Sequence, residues 1–113
     1  MSKLFEPEGY KALTAAEKEA CCNGCGSKGL GVWLVPDTIW GLNITGVCNI
    51  HDYMYSQGTT LQDKEYADRI FLNNLVRKIQ SGSKLLRWLR RRRALKMYWA
   101  VDTFGEAAFW DKK

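Results

Sequence analysis

The sequence predicts a small all-α domain in which two antiparallel core helices bear a pair of candidate active-site residues and a Gly-rich loop precedes them. Three observations predict it. Apolar residues recur at spacings of three and four between Ile44 and Phe104, the period of a helical face. Capping residues punctuate that pattern at Thr14, at Thr59-Thr60 and at Ser83. Five glycines and Pro36 fall between residues 24 and 41, where the helical period is absent. At 113 residues the chain has the length of one domain rather than two, so residues 1–113 are read as a single unit.

The elements follow in order. Thr14-Ala15-Ala16-Glu17 is a capping-box pattern, which predicts a first helix from Ala15 through Ala20 and Cys21 to a stop at Asn23-Gly24. The loop from Gly24 to Gly41 holds one apolar run, Val32-Trp33-Leu34-Val35, that suits a short strand. A second helix begins near Asn43 or Thr45 and ends at Gln57-Gly58, with Ile44, Val47, Cys48, His51 and Tyr55 on one face. Asn43-Ile44-Thr45 also has the form of a glycosylation acceptor and is read as the start of this helix. Thr59-Thr60 caps a third helix that runs to about Gln80, and Leu72, Leu75, Val76 and Ile79 mark its apolar face. Ser83 caps a long fourth helix carrying Leu85, Leu86, Leu89, Leu95, Tyr98, Val101 and Phe104, which Gly105 ends or kinks.

Composition narrows the class of protein. A hydrophobic content of 46% suits a chain that buries a core. No run of about 18 apolar residues is present to span a membrane, and Met1 to Glu8 has no apolar signal-peptide region. The expectation is a cytoplasmic protein or one exported by a non-classical route. The net charge of +5 is concentrated in Lys84, Arg87, Arg90-Arg91-Arg92-Arg93 and Lys96, which is either a solvated helix face or a surface for phosphate-bearing partners. The aromatic and apolar groups between these cations suit a phospholipid membrane surface. No nucleic-acid motif accompanies them, so nucleic acid is not the expected partner. The four cysteines, Cys21, Cys22, Cys25 and Cys48, suit two bridges by number, whereas the missing signal argues for reduced thiols.

The candidate chemistry centres on His51, the sole histidine. Asp52 follows it directly and points about 100° away around the helix, so the two side chains serve separate tasks. Tyr55 lies one turn on, where its hydroxyl joins the same face. Asp68 on the third helix is placed opposite His51 by an antiparallel helix hairpin, and a buried carboxylate there orients the imidazole as a general base requires. Asp63 is a rival carboxylate, but it falls at the helix start, where capping explains it. The loop from Gly24 to Gly31 allows successive carbonyls to converge, and calcium takes oxygen ligands from carbonyls and carboxylates. Gly24, Gly26 and Gly29 with Asp52 are the candidate calcium ligands.

The segment Cys48-Asn49-Ile50-His51-Asp52-Tyr53-Met54-Tyr55 resembles the Cys-x-x-His-Asp-x-x-Tyr helix of the phospholipase A2 superfamily. Ala67-Asp68-Arg69-Ile70-Phe71-Leu72 is similar to the segment bearing the second Asp in the smaller branches of that superfamily, and Asn23-Gly24-Cys25-Gly26 resembles the start of its calcium loop. The resemblance covers roughly residues 23 to 75. It implies a phospholipase A2-like fold, a His51 general base, calcium on Asp52, Tyr55 supporting Asp68, and a bridge between Cys25 and Cys48. The implied activity is calcium-dependent hydrolysis of a phospholipid acyl ester. Two other readings stand beside it. Cys22-x-x-Cys25 and Cys48-x-x-His51 form two metal-ligand pairs, so Cys22, Cys25, Cys48 and His51 are also a structural zinc set. Alternatively, the domain is an inactive phospholipase-like module that binds lipid or protein.

Overall fold

A computed structural model describes residues 4–21 and 38–111. The chain is mostly helical among these residues, with one two-stranded sheet. In chain order the elements are α1 (Glu8–Lys11), α2 (Ala15–Cys21), β1 (Thr38–Ile39), β2 (Leu42–Asn43), α3 (Thr45–Gln57), α4 (Leu61–Gln80), α5 (Arg87–Phe104) and α6 (Glu106–Asp111). The expected strand Val32–Val35 and the loop glycines from Gly24 to Gly31 lie outside the described residues.

Local chemistry sets most of the boundaries. The capping box before α2 is made: Thr14 N–H donates to Glu17 Oε1 at 2.8 Å and Glu17 N–H donates to Thr14 Oγ1 at 3.1 Å. A second box opens α4, where Asp63 N–H donates to Thr60 Oγ1 at 3.1 Å and Thr60 N–H to Asp63 Oδ2 at 3.1 Å. Asp63 is therefore a capping residue. Asn43 serves α3 from outside, its Oδ1 accepting the Thr45 N–H at 2.8 Å. The fourth predicted helix starts later than expected. Ser83 Oγ takes the Leu85 N–H at 3.2 Å and stabilises a turn, and α5 begins only at Arg87. Gly105 ends α5, and α6 departs from it; the single turn α1, the segment α6 and the β1–β2 hairpin were not anticipated.

The core lies between α3, α4 and α5, with Ile39 and Phe109 closing its ends. From α3 it takes Val47, Cys48 and Tyr55, the predicted face. On α4 the buried face is rotated from the predicted one. Ala67, Phe71, Leu75 and Ile79 point inward with Lys64, Asp68 and Asn74, whereas Leu72 and Val76 are only half-buried. The reason is electrostatic, since the face is turned by polar groups that pair with α3 and the N-terminal segment rather than by apolar content alone. On α5 the inward residues are Arg90, Ala94, Met97, Ala100 and Val101, which leaves Leu85, Leu95 and Phe104 in solvent. The basic run is divided as well: Arg90 is buried, Arg87 donates from Nη2 to Gln80 O at 3.0 Å, and Arg91, Arg92 and Arg93 are exposed.

The N-terminal segment is fastened to α4 by one side chain. Phe5 N–H donates to Asn74 Oδ1 at 2.7 Å, and Asn74 Nδ2 donates to Phe5 O at 3.1 Å. The amide thus serves both backbone groups of one residue, as a neighbouring strand would. Asn74→Ala is expected to leave the Phe5 N–H and C=O without their partner and to cost roughly 1–3 kcal/mol. Urea unfolding measures the loss. Hydrogen exchange locates it: the Phe5 amide should exchange freely in the variant, while the interior amides of α4 stay protected.

Candidate active site

α3 and α4 present four polar side chains to one another inside the core. His51 and Tyr55 are one turn apart on α3, and Lys64 and Asp68 are one turn apart on α4, so each helix contributes a pair from a single face. Asp68 has 0% exposure and accepts at both carboxylate oxygens. His51 Nε2 lies 2.8 Å from Asp68 Oδ1, and Tyr55 Oη donates to the same oxygen at 2.6 Å. Lys64 Nζ donates to Oδ2 at 2.7 Å and reaches Asp102 O on α5 at 3.2 Å. Lys64 itself is 3% exposed, so the lysine–aspartate pair is an interior ion pair rather than a surface one.

Opposing forces act on the Asp68 carboxyl. Burial pushes its pKa up; the hydrogen bond from His51 and the charge of that ring, then the bonds from Lys64 and Tyr55, outweigh burial and hold it below the ordinary carboxylate value. Asp68 is thus an ionised acceptor, and the imidazole proton that faces it sits on Nε2. In a neutral ring the lone pair is then on Nδ1. The Tyr55 hydroxyl is pushed far above the usual phenol range, first by burial and then by the Asp68 charge and hydrogen bond, so it stays a donor. Two aromatic rings also pack against the imidazole at a tilt, the Tyr55 centroid at 4.1 Å and that of Phe71 at 4.8 Å.

Neighbouring glycines make room for this network. A Cβ on Gly105 would stand 2.6 Å from Tyr55 Oη, as well as against Val101 O, and a Cβ on Gly58 would stand 2.7 Å from Phe109 Cε1. Phe109 packs edge-on against Tyr55 with centroids 5.2 Å apart. The junction of α5 and α6 is thereby pressed onto the Tyr55 hydroxyl.

Of the predicted site residues, the structure brings His51, Tyr55 and Asp68 together, with Asp68 and not Asp63 opposite the histidine. Asp52 is buried on α3 beside His51. Gly24, Gly26 and Gly29 lie outside the described residues, as do Cys22 and Cys25 of the zinc set. Cys48 is disulfide-bonded, where the missing signal had argued for reduced thiols. Among the described residues no group of three or more His, Cys, Asp or Glu is placed to hold a metal ion. Lys64 was not anticipated at all; its one sequence signal is the four-residue spacing to Asp68, which reads equally well as a solvated pair. No family model, curated protein or solved structure matches this chain.

Two outcomes follow. Gly105→Ala is expected to displace the Tyr55 hydroxyl from Asp68 and to destabilise the fold by about 1–3 kcal/mol, measured as a fall in the urea midpoint. The depressed Asp68 pKa also sets an acid limit. Its stabilisation is fully present above the unfolded-state value near about pH 4 and is lost as the pH falls through the lower folded-state value. Asp63, held low by the Thr59 and Thr60 backbone N–H groups, titrates in the same window. The comparison is therefore made in an Asp63→Asn background, where adding Asp68→Asn should flatten the dependence of the urea midpoint on pH below about 4.

Proposed function

We propose that this chain is a phospholipase A2-like hydrolase that cleaves an acyl ester of a phospholipid in the presence of calcium, using water activated by His51. One observation carries the reading: a histidine whose Nε2 is engaged at 2.8 Å by a buried carboxylate that also accepts from Tyr55 at 2.6 Å. A neutral imidazole in that setting keeps Nδ1 as its basic nitrogen, the atom that takes a proton from water. Asp68 fixes the tautomer and balances the charge that forms on the ring during proton transfer. Tyr55 and Lys64 hold Asp68 rather than touching the reacting atoms. They are positioning residues.

The calcium ligands in this reading are Asp52 and the carbonyls of Gly24, Gly26 and Gly29. The buried Asp52 carboxylate, one residue from the base, is the hard oxygen donor such an ion requires. When bound, the cation supplies positive charge that polarises the ester carbonyl and steadies its oxyanion. Zinc on Cys22, Cys25, Cys48 and His51 is the competing reading. The disulfide at Cys48 supports calcium over zinc, because zinc takes thiolates and not disulfide sulfur.

The deciding experiment is ester release from phospholipid vesicles with calcium or with chelator, comparing wild type with His51→Ala. The expected result is calcium-dependent hydrolysis that falls roughly a hundred- to ten-thousand-fold in the variant, the usual contribution of a general base. Wild-type protein with no calcium-dependent activity above His51→Ala transfers the reading to a non-catalytic binding module. Metal analysis of protein purified without chelator is expected to find no stoichiometric zinc, and finding it would overturn the hydrolase reading.

A further inference from the structure

The tip of the β1–β2 hairpin and the first half of α5 border a shallow groove of about 300 Å³, lined by Trp40, Trp88, Leu89, Arg92, Arg93 and Lys96. Its two indoles lack the contacts that account for the other exposed tryptophans. Trp99 rests edge-on against Phe104 with centroids 5.5 Å apart, and Trp110 against Phe109 at 4.9 Å. Trp40 and Trp88 are 57% and 62% exposed, and among the described residues neither meets another aromatic ring. They come from separate elements and line one open space without closing on each other.

Trp40 is held at the groove against its backbone preference. The hairpin turn is Trp40-Gly41, both with positive φ, at 47° and 80°. A bulky side chain in the left-handed region is a conformational outlier, and such outliers concentrate at functional sites. The buried Arg90 stabilises this one by donating from Nη2 to Trp40 O at 2.8 Å. That bond also ties the hairpin tip to the helix that bears Trp88. The rest of the wall is cationic. Arg92 lies over the Trp88 indole, its guanidinium carbon 5.0 Å from the ring centroid, and Arg93 and Lys96 are exposed beside it. No acidic side chain lines the groove.

We propose that this groove binds a nucleoside polyphosphate, with the base against the indoles of Trp40 and Trp88 and the phosphates on Arg92, Arg93 and Lys96. The two halves of the wall ask for different things. Indoles gain from a flat ring that covers their π-surface, and clustered cations gain from an anion with several oxygens. A bare phosphate ion serves only the cations, and an uncharged aromatic serves only the indoles. A nucleoside polyphosphate serves both. A volume of about 300 Å³ is at the lower end for small-molecule sites, which suits a mononucleotide rather than a dinucleotide cofactor. The groove shares no residue with the His51–Asp68 network, so nucleotide binding and ester hydrolysis can be measured independently.

The test titrates ADP into full-length protein, read by calorimetry and by quenching of tryptophan fluorescence excited where adenine does not absorb. Saturable binding that weakens with salt is expected. Adenosine and pyrophosphate should each bind at least about tenfold more weakly than ADP, since each engages half of the wall. Trp88→Ala and Trp40→Gly should each lose about five- to a hundredfold in affinity, the range for one stacked base. Glycine at position 40 keeps the positive φ of the turn without strain. Arg93→Gln/Lys96→Gln should lose about tenfold. Trp99→Ala, on the same helix but outside the groove, should bind ADP as wild type does. All these side chains are exposed, so every variant should keep the wild-type circular dichroism. ADP affinity unchanged in both Trp40→Gly and Trp88→Ala would overturn the proposal. So would pyrophosphate binding as tightly as ADP, which would leave only a general cationic patch. Tighter binding of a single-stranded adenine oligonucleotide than of ADP, lost in Trp99→Ala, would assign the face to nucleic acid instead.

Discussion

The structure depends on the buried carboxylate of Asp68. A carboxylate at the centre of a helix pair costs several kcal/mol to remove from water, and it is tolerated only if its lone pairs are engaged and a cation is near. Asp68 meets both conditions, with His51 and Tyr55 on one oxygen and Lys64 on the other. The partners come from two helices, so the arrangement specifies how α3 and α4 lie against each other. A slip of one turn, about 5.4 Å, is far longer than any of these hydrogen bonds and would leave the carboxylate facing apolar side chains. Apolar packing alone would allow neighbouring registers at lower cost. The polar network forbids them.

The constraint extends beyond the two helices it joins. Lys64 reaches the Asp102 carbonyl, which ties the carboxylate to the last turn of α5. The same helix ends at Gly105, where a side chain would occupy the space of the Tyr55 hydroxyl. After that glycine α6 carries Phe109 back over the Tyr55 ring and against Gly58 at the end of α3. Phe109 of the C-terminal segment is therefore part of the wall around Tyr55.

What the sequence made legible was local. Two capping boxes, the apolar face of α3 and the end of that helix at Gly58 all rest on residues within a few positions of one another. The His51–Asp68 couple was legible because two helices joined by a short turn, the second opened by a capping residue, leave few alternatives to an antiparallel hairpin. Lys64 was illegible for a physical reason: lysines are almost never buried, and a pair with Asp68 four residues on has the same spacing whether it faces water or core. The faces of α5 were misjudged for a related reason. Periodicity detects that apolar residues recur, and α5 has two such stripes, of which the burial of Arg90 decides the inward one. The Trp40-Gly41 turn escaped because an indole in a left-handed conformation contradicts residue preference; only a contact fifty positions away, from Arg90, makes it stable.

Placing donors on both oxygens of Asp68 has a consequence for His51. A carboxylate held at one oxygen can pivot about the other; one held at both cannot. Lys64 fixes Oδ2 and Tyr55 fixes Oδ1, so the direction from which Nε2 must approach is set before the imidazole is considered. The Tyr55 and Phe71 rings then pack against the imidazole, each tilted to it, at centroid distances of 4.1 and 4.8 Å. In the proposed hydrolase, a base so confined would lose little orientational freedom when the reaction begins, and this is the part of a catalytic barrier that a scaffold can lower in advance. The lysine adds one thing that a second tyrosine could not. Because its ammonium lies 2.7 Å from Oδ2, a cation stands beside Asp68 whether or not the imidazole carries a second proton, so in the proposed reaction the contact that orients His51 before proton transfer would also be there afterwards.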